Sequence, residues 1–374
     1  RTSGLFTMTN LAPQRLKGIE QPVSVWRVEE IAETIDHGRS TPFVGRRSEL
    51  GQCRAIIEDV VATGEGQTIL LRGAAGIGKT RLAEEVMTAA EVLNFSLHRC
   101  LVLDFGSRKD QDAIPALVSS LLGLPPSTDI EQRTRAADDG LSKGAYPPGD
   151  RVFLNDLLDL PQPLELNRLY NAMDDAARRA GRRSLLAGLA SWASRTRPQL
   201  IVVEDLHWAD AQTLDNLAAV MTVAIENPIA LLFTTRPEGD PFEGTWRAAG
   251  HNQPVSIINL GALRTSEARE MATGFAHANQ ERLAECLDRA EGNPLFLEQL
   301  LQNVAESASD LVPGSIQSLV LARMDRLVLL DKRALQAASI FGQNFTLAGV
   351  RDLLDAPDYD LSLIHISEPT RPMK

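Results

Sequence analysis

The chain has 374 residues, of which 44% are hydrophobic and 23% are charged, proportions that suit a globular protein of two or three domains with a buried core. Its formal net charge of −11 argues against nucleic acid as a main partner, because gripping phosphates requires a surplus of positive charge. Three widely separated cysteines without metal-ligand spacing indicate a reducing, cytoplasmic compartment. No apolar run approaches the ~20 residues that span a bilayer, so no membrane attachment is expected.

The first segment, residues 1–30, ends in a pattern typical of a strand after a glycine-containing turn, with Val23, Val25 and Trp26. Residues 31–42 contain Gly, Ser, Thr and Pro and are predicted to form a linker. A new unit is expected to open at Phe43, followed by an amphipathic helix near 47–62.

Residues 73–80 read Gly-Ala-Ala-Gly-Ile-Gly-Lys-Thr and match the phosphate-binding pattern G-x-x-x-x-G-K-[ST] at every fixed position. An apolar run of strand type, 67–72, precedes them, and a helical pattern over 81–90 follows. The match therefore lies in the strand–loop–helix context that the chemistry requires, and it predicts a site for a nucleoside triphosphate.

Each fixed residue of this loop has a chemical reason. Gly73, Gly76 and Gly78 allow the backbone N–H groups to point inward at phosphates, and the new helix adds its positive N-terminal end. Lys79 is expected to reach the β- and γ-phosphates, and the Thr80 hydroxyl to bind Mg²⁺.

Further along the chain, apolar strand patterns alternate with helical ones. A segment rich in Pro, Gly and Asp, 123–165, is predicted to be an extended insertion with short helices, followed by a helical pattern from about 167 to 195. Continuous apolar runs separated by helices predict a parallel sheet covered on both faces. The strand candidates are 95–103, 200–205, 229–235 and 255–260, and the pattern is helical from 265 onward.

Two adjacent carboxylates, Glu204 and Asp205, end one of the predicted strands. A phosphate loop needs a partner of this kind at a neighbouring strand end. One carboxylate is expected to hold Mg²⁺, directly or through water, and the other to orient or deprotonate the attacking water, with the two roles left unassigned. The alternative, a pair of solvated acids, is weakened by the loop upstream.

Arg236 ends the next strand, where its forked guanidinium could report on a γ-phosphate, although a surface arginine before Pro237 fits the spacing equally well. Asn293 and Pro294 are expected to break one helix and start the next, which alone indicates a plain helix junction. His207 is interpreted as a positioning or packing residue.

Five segments recur together in one known group, and on them the chain resembles the STAND class of signal-transduction ATPases, close to the AAA+ fold. The resemblance covers about 1–355 and is closest to bacterial multidomain regulators that join a class III adenylate/guanylate cyclase domain to such an ATPase. The phrase Leu-His-Trp-Ala-Asp is its most specific part. The segments are 43–46, 73–80, 202–210, 234–238 and 292–298.

By this resemblance, Val44, Gly45 and Arg46 would lie near the adenine and ribose of ATP, bound with Mg²⁺. Pro294 would contact the nucleotide from a helical lid, and Arg236 would act as a γ-phosphate sensor.

The resemblance also implies a domain organisation and an α/β fold class: a P-loop NTPase with a parallel sheet flanked by helices, then a helical lid and a partial winged-helix module. The final residues, including 361–371, resemble a translated sequencing adapter, with a natural amphipathic tail as the alternative, and the chain is expected to be a fragment. The expected parts are a C-terminal remnant of a cyclase domain (1–30), a linker (31–42), the ATPase core (43–262), the lid (263–310), the start of the winged-helix module (311–356) and a non-native tail (357–374).

The leading hypothesis is a slow regulatory ATPase whose partners are the intramolecular cyclase and C-terminal helical domains, with homo-oligomerisation left open. No cyclase activity is expected from the fragment itself, because the catalytic carboxylates of a cyclase are not in it. The alternatives are a DNA-associated ATPase of the origin-recognition type and a nucleotide-gated scaffold that does not hydrolyse ATP.

Overall fold

The computed structural model describes residues 6–14, 23–31, 43–102, 113–125, 128–243, 246, 255–273, 280–306, 329–340, 350 and 354. Near the start of the chain, β1 (Phe6–Gln14) and β2 (Val23–Ile31) form an antiparallel pair. The strand predicted from Val23 onward is therefore present as β2. The predicted linker, 31–42, lies outside the described residues except for Ile31 at the end of this strand, and the cyclase origin of the pair stays a prediction.

A five-stranded parallel sheet forms the centre of the fold, in the order β4-β5-β6-β3-β7. Every residue of β5 and β6 is buried, which is why their sequences are continuous apolar runs rather than alternating ones. The predicted parallel sheet is confirmed. The strands are β3 (Gln67–Gly73), β4 (Ser96–Leu101), β5 (Gln199–Glu204), β6 (Ile229–Thr235) and β7 (Val255–Leu260).

Helices cover both faces of the sheet, and successive residues of each strand serve opposite faces. On one face, α1 (Arg47–Thr63) and α2 (Lys79–Val92) pack on a cluster that includes Ile69, Leu71 and Val202. The other face carries the intervening residues Leu70, Ile201 and Val203 in a separate cluster. The helices of that second face are α3 (Ala113–Leu121), α5 (Arg151–Leu157), α7 (Asp175–Ser194) and α8 (Ala211–Ala224).

The chain between β4 and β5 is more compact than the predicted extended insertion. Its helices are α4 (Ile130–Ser142) and α6 (Leu164–Ala172), together with α3, α5 and α7. Tyr146, Val152 and Leu154 belong to the hydrophobic cluster on the second face of the sheet, called the main core below. The helical pattern predicted from 167 to 195 is divided in two, because Asp174 accepts a hydrogen bond from the amide of Ala177 and caps α7.

After the sheet come α9 (Thr265–Thr273), α10 (Gln280–Ala290) and α11 (Pro294–Glu306). These three helices and the turn that joins α10 to α11 are called the lid below. The helices share a hydrophobic cluster of their own that contains Leu297, Leu300 and Cys286. In the region predicted to begin a winged-helix module, the structure describes α12 (Leu329–Ile340) and two single residues. The module and the tail after 356 otherwise lie outside the described residues, and their identity stays a prediction.

Within the described ranges, no helix combines the length and the apolar character that crossing a membrane would require.

Candidate functional site

A cavity of about 670 Å³ lies where β3, β5 and β6 end, between the loop after β3 and the lid. Because parallel strands end at the same edge of a sheet, the functional residues predicted from three separate strand ends come together here. Nine of the twelve predicted site residues line this cavity: Val44, Arg46, Gly76, Gly78, Lys79, Thr80, Asp205, Arg236 and Pro294. The other three, Gly45, Gly73 and Glu204, lie beside it, as described below.

The glycines of the loop are required by its backbone geometry. Gly76 and Gly78 have φ angles of 72° and 97°, in the left-handed region where glycine carries no steric penalty. Gly73 meets a different constraint, because a Cβ there would lie 2.8 Å from the carbonyl oxygen of Leu260 on β7. The loop can therefore keep this shape only with glycine at the three positions.

Lys79 begins α2 and is held inside the loop. Its Nζ donates to the carbonyl oxygens of Gly73 and Ala74 at 2.8 and 2.9 Å, and only 8% of the residue is exposed. Burial lowers the pKa of Lys79, while Asp205 raises it and Arg236 lowers it. A buried cation between an acid and a second cation is an arrangement suited to a polyanionic ligand.

The acidic pair divides its two side chains between different surroundings. Glu204, which is 5% exposed, accepts a hydrogen bond at Oε2 from the Thr80 hydroxyl at 2.6 Å. Asp205 has a left-handed φ of 57°, its amide donates to the Thr234 hydroxyl at 3.0 Å, and it lines the cavity. The turn between the two residues therefore directs one carboxylate to the loop threonine and the other to the cavity.

Arg99 is a residue of this site that the sequence analysis missed. It lies on β4, beside β5, and its Nε donates to Oε1 of Glu204 at 2.6 Å. Its Nη1 also lies 3.4 Å from Oε1 of Glu84 on α2. A charged residue near the end of a strand is a weak signal by itself, and its meaning depends on knowing that β4 neighbours β5.

The segment before α1 supplies the far side of the cavity. Arg46 has a left-handed φ of 55° and is buried, with Nη2 donating to the carbonyl oxygens of Ile77 at 3.3 Å and of Gly261, and Nη1 donating to Glu49 at 3.1 Å. Gly45 is packed so closely that a Cβ would lie 2.7 Å from the Glu267 side chain. Arg46 thus borders the cavity while its guanidinium joins the loop to the segment after β7.

Arg236 and Pro294 enter the cavity from the remaining two sides. The guanidinium carbon of Arg236 lies 5.8 Å from the ring centroid of Trp208, and Pro294 is the first residue of α11. Apolar side chains of Phe43, Met271 and Leu295 also line the cavity, and the sequence does not single them out as site residues. These side chains have no distinctive pattern, because only the tertiary arrangement brings them together.

The oxygen donors at the site fit Mg²⁺, which prefers hydroxyl, carboxylate and phosphate oxygens. Thr80, Glu204 and Asp205 offer such oxygens beside the loop. In the described part of the chain, no cluster of three or more His, Cys, Asp or Glu side chains could hold a metal by itself. A cation here would therefore depend on the phosphates of a bound nucleotide for its remaining ligands.

The sheet order, the glycine loop and the acidic strand end define the P-loop class of nucleotide-binding folds. Residues 42–233 match the AAA ATPase domain, and the chain belongs to that family. Membership implies binding of ATP with Mg²⁺ and hydrolysis at the phosphate loop.

An uncharacterized protein of Rhizobium meliloti (strain 1021) is 27% identical over 375 residues, covering 94% of this chain and 35% of that protein. The chain therefore spans about a third of the length of this relative.

Several solved structures are similar to this chain at low identity. A signal transduction ATPase with numerous domains (STAND) and a tetratricopeptide repeat sensor from Pyrococcus horikoshii is 19% identical, with a TM-score of 0.46 over 85% of this chain and 38% of that one. The Aeropyrum pernix ORC1 protein in complex with DNA is 14% identical, with a TM-score of 0.45 over 84% and 78%. The Thermotoga maritima RuvB Holliday junction branch migration motor is 14% identical, with a TM-score of 0.39 over 84% and 83%.

Proposed function

We propose that this chain is the ATP-driven switch of a multidomain signal-transduction protein of the STAND type, and that it hydrolyses ATP slowly. The observation that carries the proposal is the joint lining of one cavity by the phosphate loop, the acidic strand end, Arg236 and the lid residue Pro294. A ligand in such a cavity contacts both the strand ends of the sheet and the lid, so its γ-phosphate can shift the equilibrium between arrangements of the lid relative to the sheet.

Four side chains at the phosphate end of the site have different roles. Lys79 binds the β- and γ-phosphate oxygens, and Arg236 binds the γ-phosphate. Thr80 and Glu204 hold Mg²⁺, a role supported by their 2.6 Å hydrogen bond beside the loop. Bound Mg²⁺ neutralises charge that develops on the phosphate oxygens.

Asp205 orients the attacking water and accepts its proton. The bond from the water oxygen to the γ-phosphorus forms as the bond to the bridging oxygen breaks, and the leaving ADP takes up the negative charge beside Lys79. This assignment is supported by the exposure of Asp205 to the cavity and the engagement of Glu204 with Thr80. The proposal thus assigns one role each to the two carboxylates whose roles the sequence leaves open.

The opposite end of the cavity holds the adenine and ribose. Val44 and the apolar side chains of Phe43 and Met271 offer a surface for a flat base. Gly45 and Arg46 fix the backbone there, since Arg46 bonds to the loop and to the segment after β7. Pro294 contacts the nucleotide from the lid.

The output of the switch is exerted on the neighbouring domains of the longer protein, through an attached cyclase domain and C-terminal helical domains. The chain length relative to the Rhizobium protein supports a part played within a larger chain. The net charge of −11 favours this over a function based on DNA binding.

The experiment that tests the proposal compares ATP binding and hydrolysis by the wild-type chain and Lys79→Ala. We expect K79A to weaken ATP binding by roughly tenfold to a hundredfold, because it removes charge-assisted hydrogen bonds to phosphate. Lys143→Ala is the matched control, since Lys143 is exposed at the end of α4, pairs with Asp139 at 4.0 Å and does not line the cavity. The proposal fails if K79A binds ATP as tightly as the wild type.

A further inference from the structure

The lid touches the phosphate loop through two hydrogen bonds of its own. The side-chain Nδ2 of Asn293 donates to the carbonyl oxygen of Ala75 at 3.0 Å. Two residues later, the backbone amide of Leu295 donates to the carbonyl oxygen of Gly76 at 3.2 Å. We call these two bonds the lid clasp, and they join residues that are more than 200 positions apart in the chain.

Asn293 performs a second task with the other atom of the same amide. Its Oδ1 accepts from the amide of Phe296 at 3.2 Å, the bond expected of a residue that caps the start of α11. Since one planar amide makes both bonds, the orientation of the cap fixes the orientation of the donor that reaches Ala75. The start of α11 and the loop are therefore held in one arrangement.

The clasp also fixes the direction in which the amide of Gly76 points. A trans peptide is planar, so its carbonyl and its N–H point in opposite directions. Holding the carbonyl of Ala75 toward Asn293 turns the amide of Gly76 the opposite way, away from Asn293. The carbonyl of Gly76 is bound by Leu295, and the amide of Ile77 in the same peptide donates to the carbonyl oxygen of Ala74 at 3.4 Å.

The packing around the clasp leaves little room for another arrangement. A Cβ on Gly76 would lie 3.0 Å from Oδ1 of Asn293 and 3.0 Å from Cβ of Leu295. Gly292, just before the clasp, has a φ of 75°, and its carbonyl accepts from the amide of Leu263 at 2.8 Å. The clasp is thus anchored to the segment that leads from the sheet into the lid.

We propose that Asn293 is a positioning residue that aims the Gly76 amide of the loop at the nucleotide phosphates through the lid clasp, so that tight nucleotide binding depends on the lid. The inference rests on the proposed function, because it assumes that the loop binds nucleotide phosphates. It goes beyond that function by assigning to an uncharged lid residue, which does not line the cavity, control over how long the nucleotide stays bound.

The test uses Asn293→Ser and Asn293→Asp, which both keep an oxygen that can cap α11 and both remove the Nδ2 group that donates to Ala75. The probe is a fluorescent ADP analogue, and the measurements are its dissociation rate and the thermal unfolding of each variant. We expect N293S to release the analogue roughly threefold to tenfold faster, the factor corresponding to one hydrogen bond. N293D should release it faster still, because its carboxylate faces a carbonyl and lies near the phosphates.

Gln299→Ser is the matched control, because its amide lies on the same helix and donates to Gln302 of that helix at 3.5 Å. It should leave the release rate unchanged. Unfolding temperatures of N293S and N293D close to the wild type, together with faster release, support positioning over a merely structural role. If N293S loses its fold, N293D alone carries the test.

Failure of this inference can be distinguished from failure of the proposed function. If the wild type does not bind the analogue, the proposed function is wrong. If the wild type binds it and folded N293S and N293D release it at the wild-type rate, the loop does not need the clasp and the inference is overturned.

Discussion

Arg99 and Glu204 form an ion pair of 2.6 Å across the neighbouring strands β4 and β5. Oε2 of the same carboxylate accepts from Thr80 at 2.6 Å, so both oxygens of Glu204 are engaged. The position proposed for Mg²⁺ is thus beside a fixed positive charge, which opposes the approach of a cation. Glu84, 3.4 Å from Nη1 of Arg99, provides an alternative partner for the guanidinium.

We therefore expect Arg99→Gln to lower the Mg²⁺ concentration needed for half-maximal ATP hydrolysis. The effect should be roughly twofold to tenfold, since Arg99 is partly exposed and water screens its charge. The measurement is ATPase activity against Mg²⁺ concentration at fixed ATP.

Arg135→Gln is the matched control for this change, because it removes the same charge from an exposed pair with Glu131. R135Q should keep the wild-type Mg²⁺ requirement. A Mg²⁺ requirement in R99Q that equals or exceeds the wild-type value would contradict the opposing role of Arg99.

The two acids should respond differently to neutralisation. Glu204→Gln removes the charge beside Thr80, so it should raise the Mg²⁺ requirement. Asp205→Asn should lower kcat by roughly a hundredfold or more and change the Mg²⁺ requirement little, because it removes the proton acceptor that faces the cavity. Steady-state kinetics over a range of Mg²⁺ concentrations separates the two effects. The reverse pattern would exchange the roles that we assign.

Much of this site could be predicted from sequence because its signals are local. The glycine loop and the acidic strand end each occupy a few consecutive residues, so their chemistry can be inferred without knowledge of the fold. Arg99 could not be predicted, since its partner is 105 positions away and depends on strand order. For Asn293 the sequence predicts only a helix junction. Asn293 does cap α11, but its contact with Ala75 depends on how the lid packs on the loop.

The fold of the segment between β4 and β5 was also only partly predictable from the sequence. Its Pro, Gly and Asp content predicts extended chain with short helices, yet Tyr146 donates to the carbonyl of Ala137 inside the core. These short helices differ in how they are buried, since α6 has no buried residue and five of the seven residues of α5 are buried, so no single helical stripe runs through the segment. The long apolar strands, by contrast, have one environment along their whole length and were predicted correctly.

His98 should make the stability of the sheet depend on pH. Its Nε2 faces Oε1 of Gln199 at 2.7 Å, and the amide nitrogen of Gln199 donates to the carbonyls of Ala193 and Arg197. Nε2 of His98 is therefore the donor, and Nδ1 accepts from the Ser120 hydroxyl at 2.7 Å. Burial lowers the pKa of His98 from its ordinary value of 6.5, with the bond to Gln199 opposing the shift.

Because the pKa is lower in the folded state, the unfolded chain takes up a proton first as the pH falls below 6.5. Stability should be unaffected by this group above that pH and should decrease below it, down to the folded-state pKa. Urea unfolding of the wild type and His98→Asn from about pH 8 to about pH 5 measures the effect. The difference in free energy of unfolding between the wild type and H98N should decrease as the pH falls. If that difference instead increases at lower pH, the folded state binds the proton more tightly than the unfolded chain, and the prediction is wrong.

Gly181, in the middle of α7, is required by the close approach of α5. A Cβ at this position would lie 2.1 Å from Cζ of Phe153 and 2.4 Å from both Cε atoms, and Phe153 is packed in the main core. Gly188, on the same helix, has open space where a Cβ would lie, with no other atom within 4 Å. The two glycines therefore have the same helical backbone and opposite surroundings.

Substituting alanine at the two positions separates packing from helix propensity. Gly188→Ala should stabilise the fold by up to about 1 kcal/mol, because alanine is the better helix former. Gly181→Ala gains the same propensity but forces the Phe153 ring out of its packing, so we expect a net loss of about 1–3 kcal/mol. Urea denaturation followed by circular dichroism measures both. Adding Phe153→Leu to G181A should recover part of the loss, since the shorter side chain leaves room for the new methyl group. Equal stabilities of G181A and G188A would show that Phe153 and α5 can move aside without a loss of stability, which would contradict this prediction.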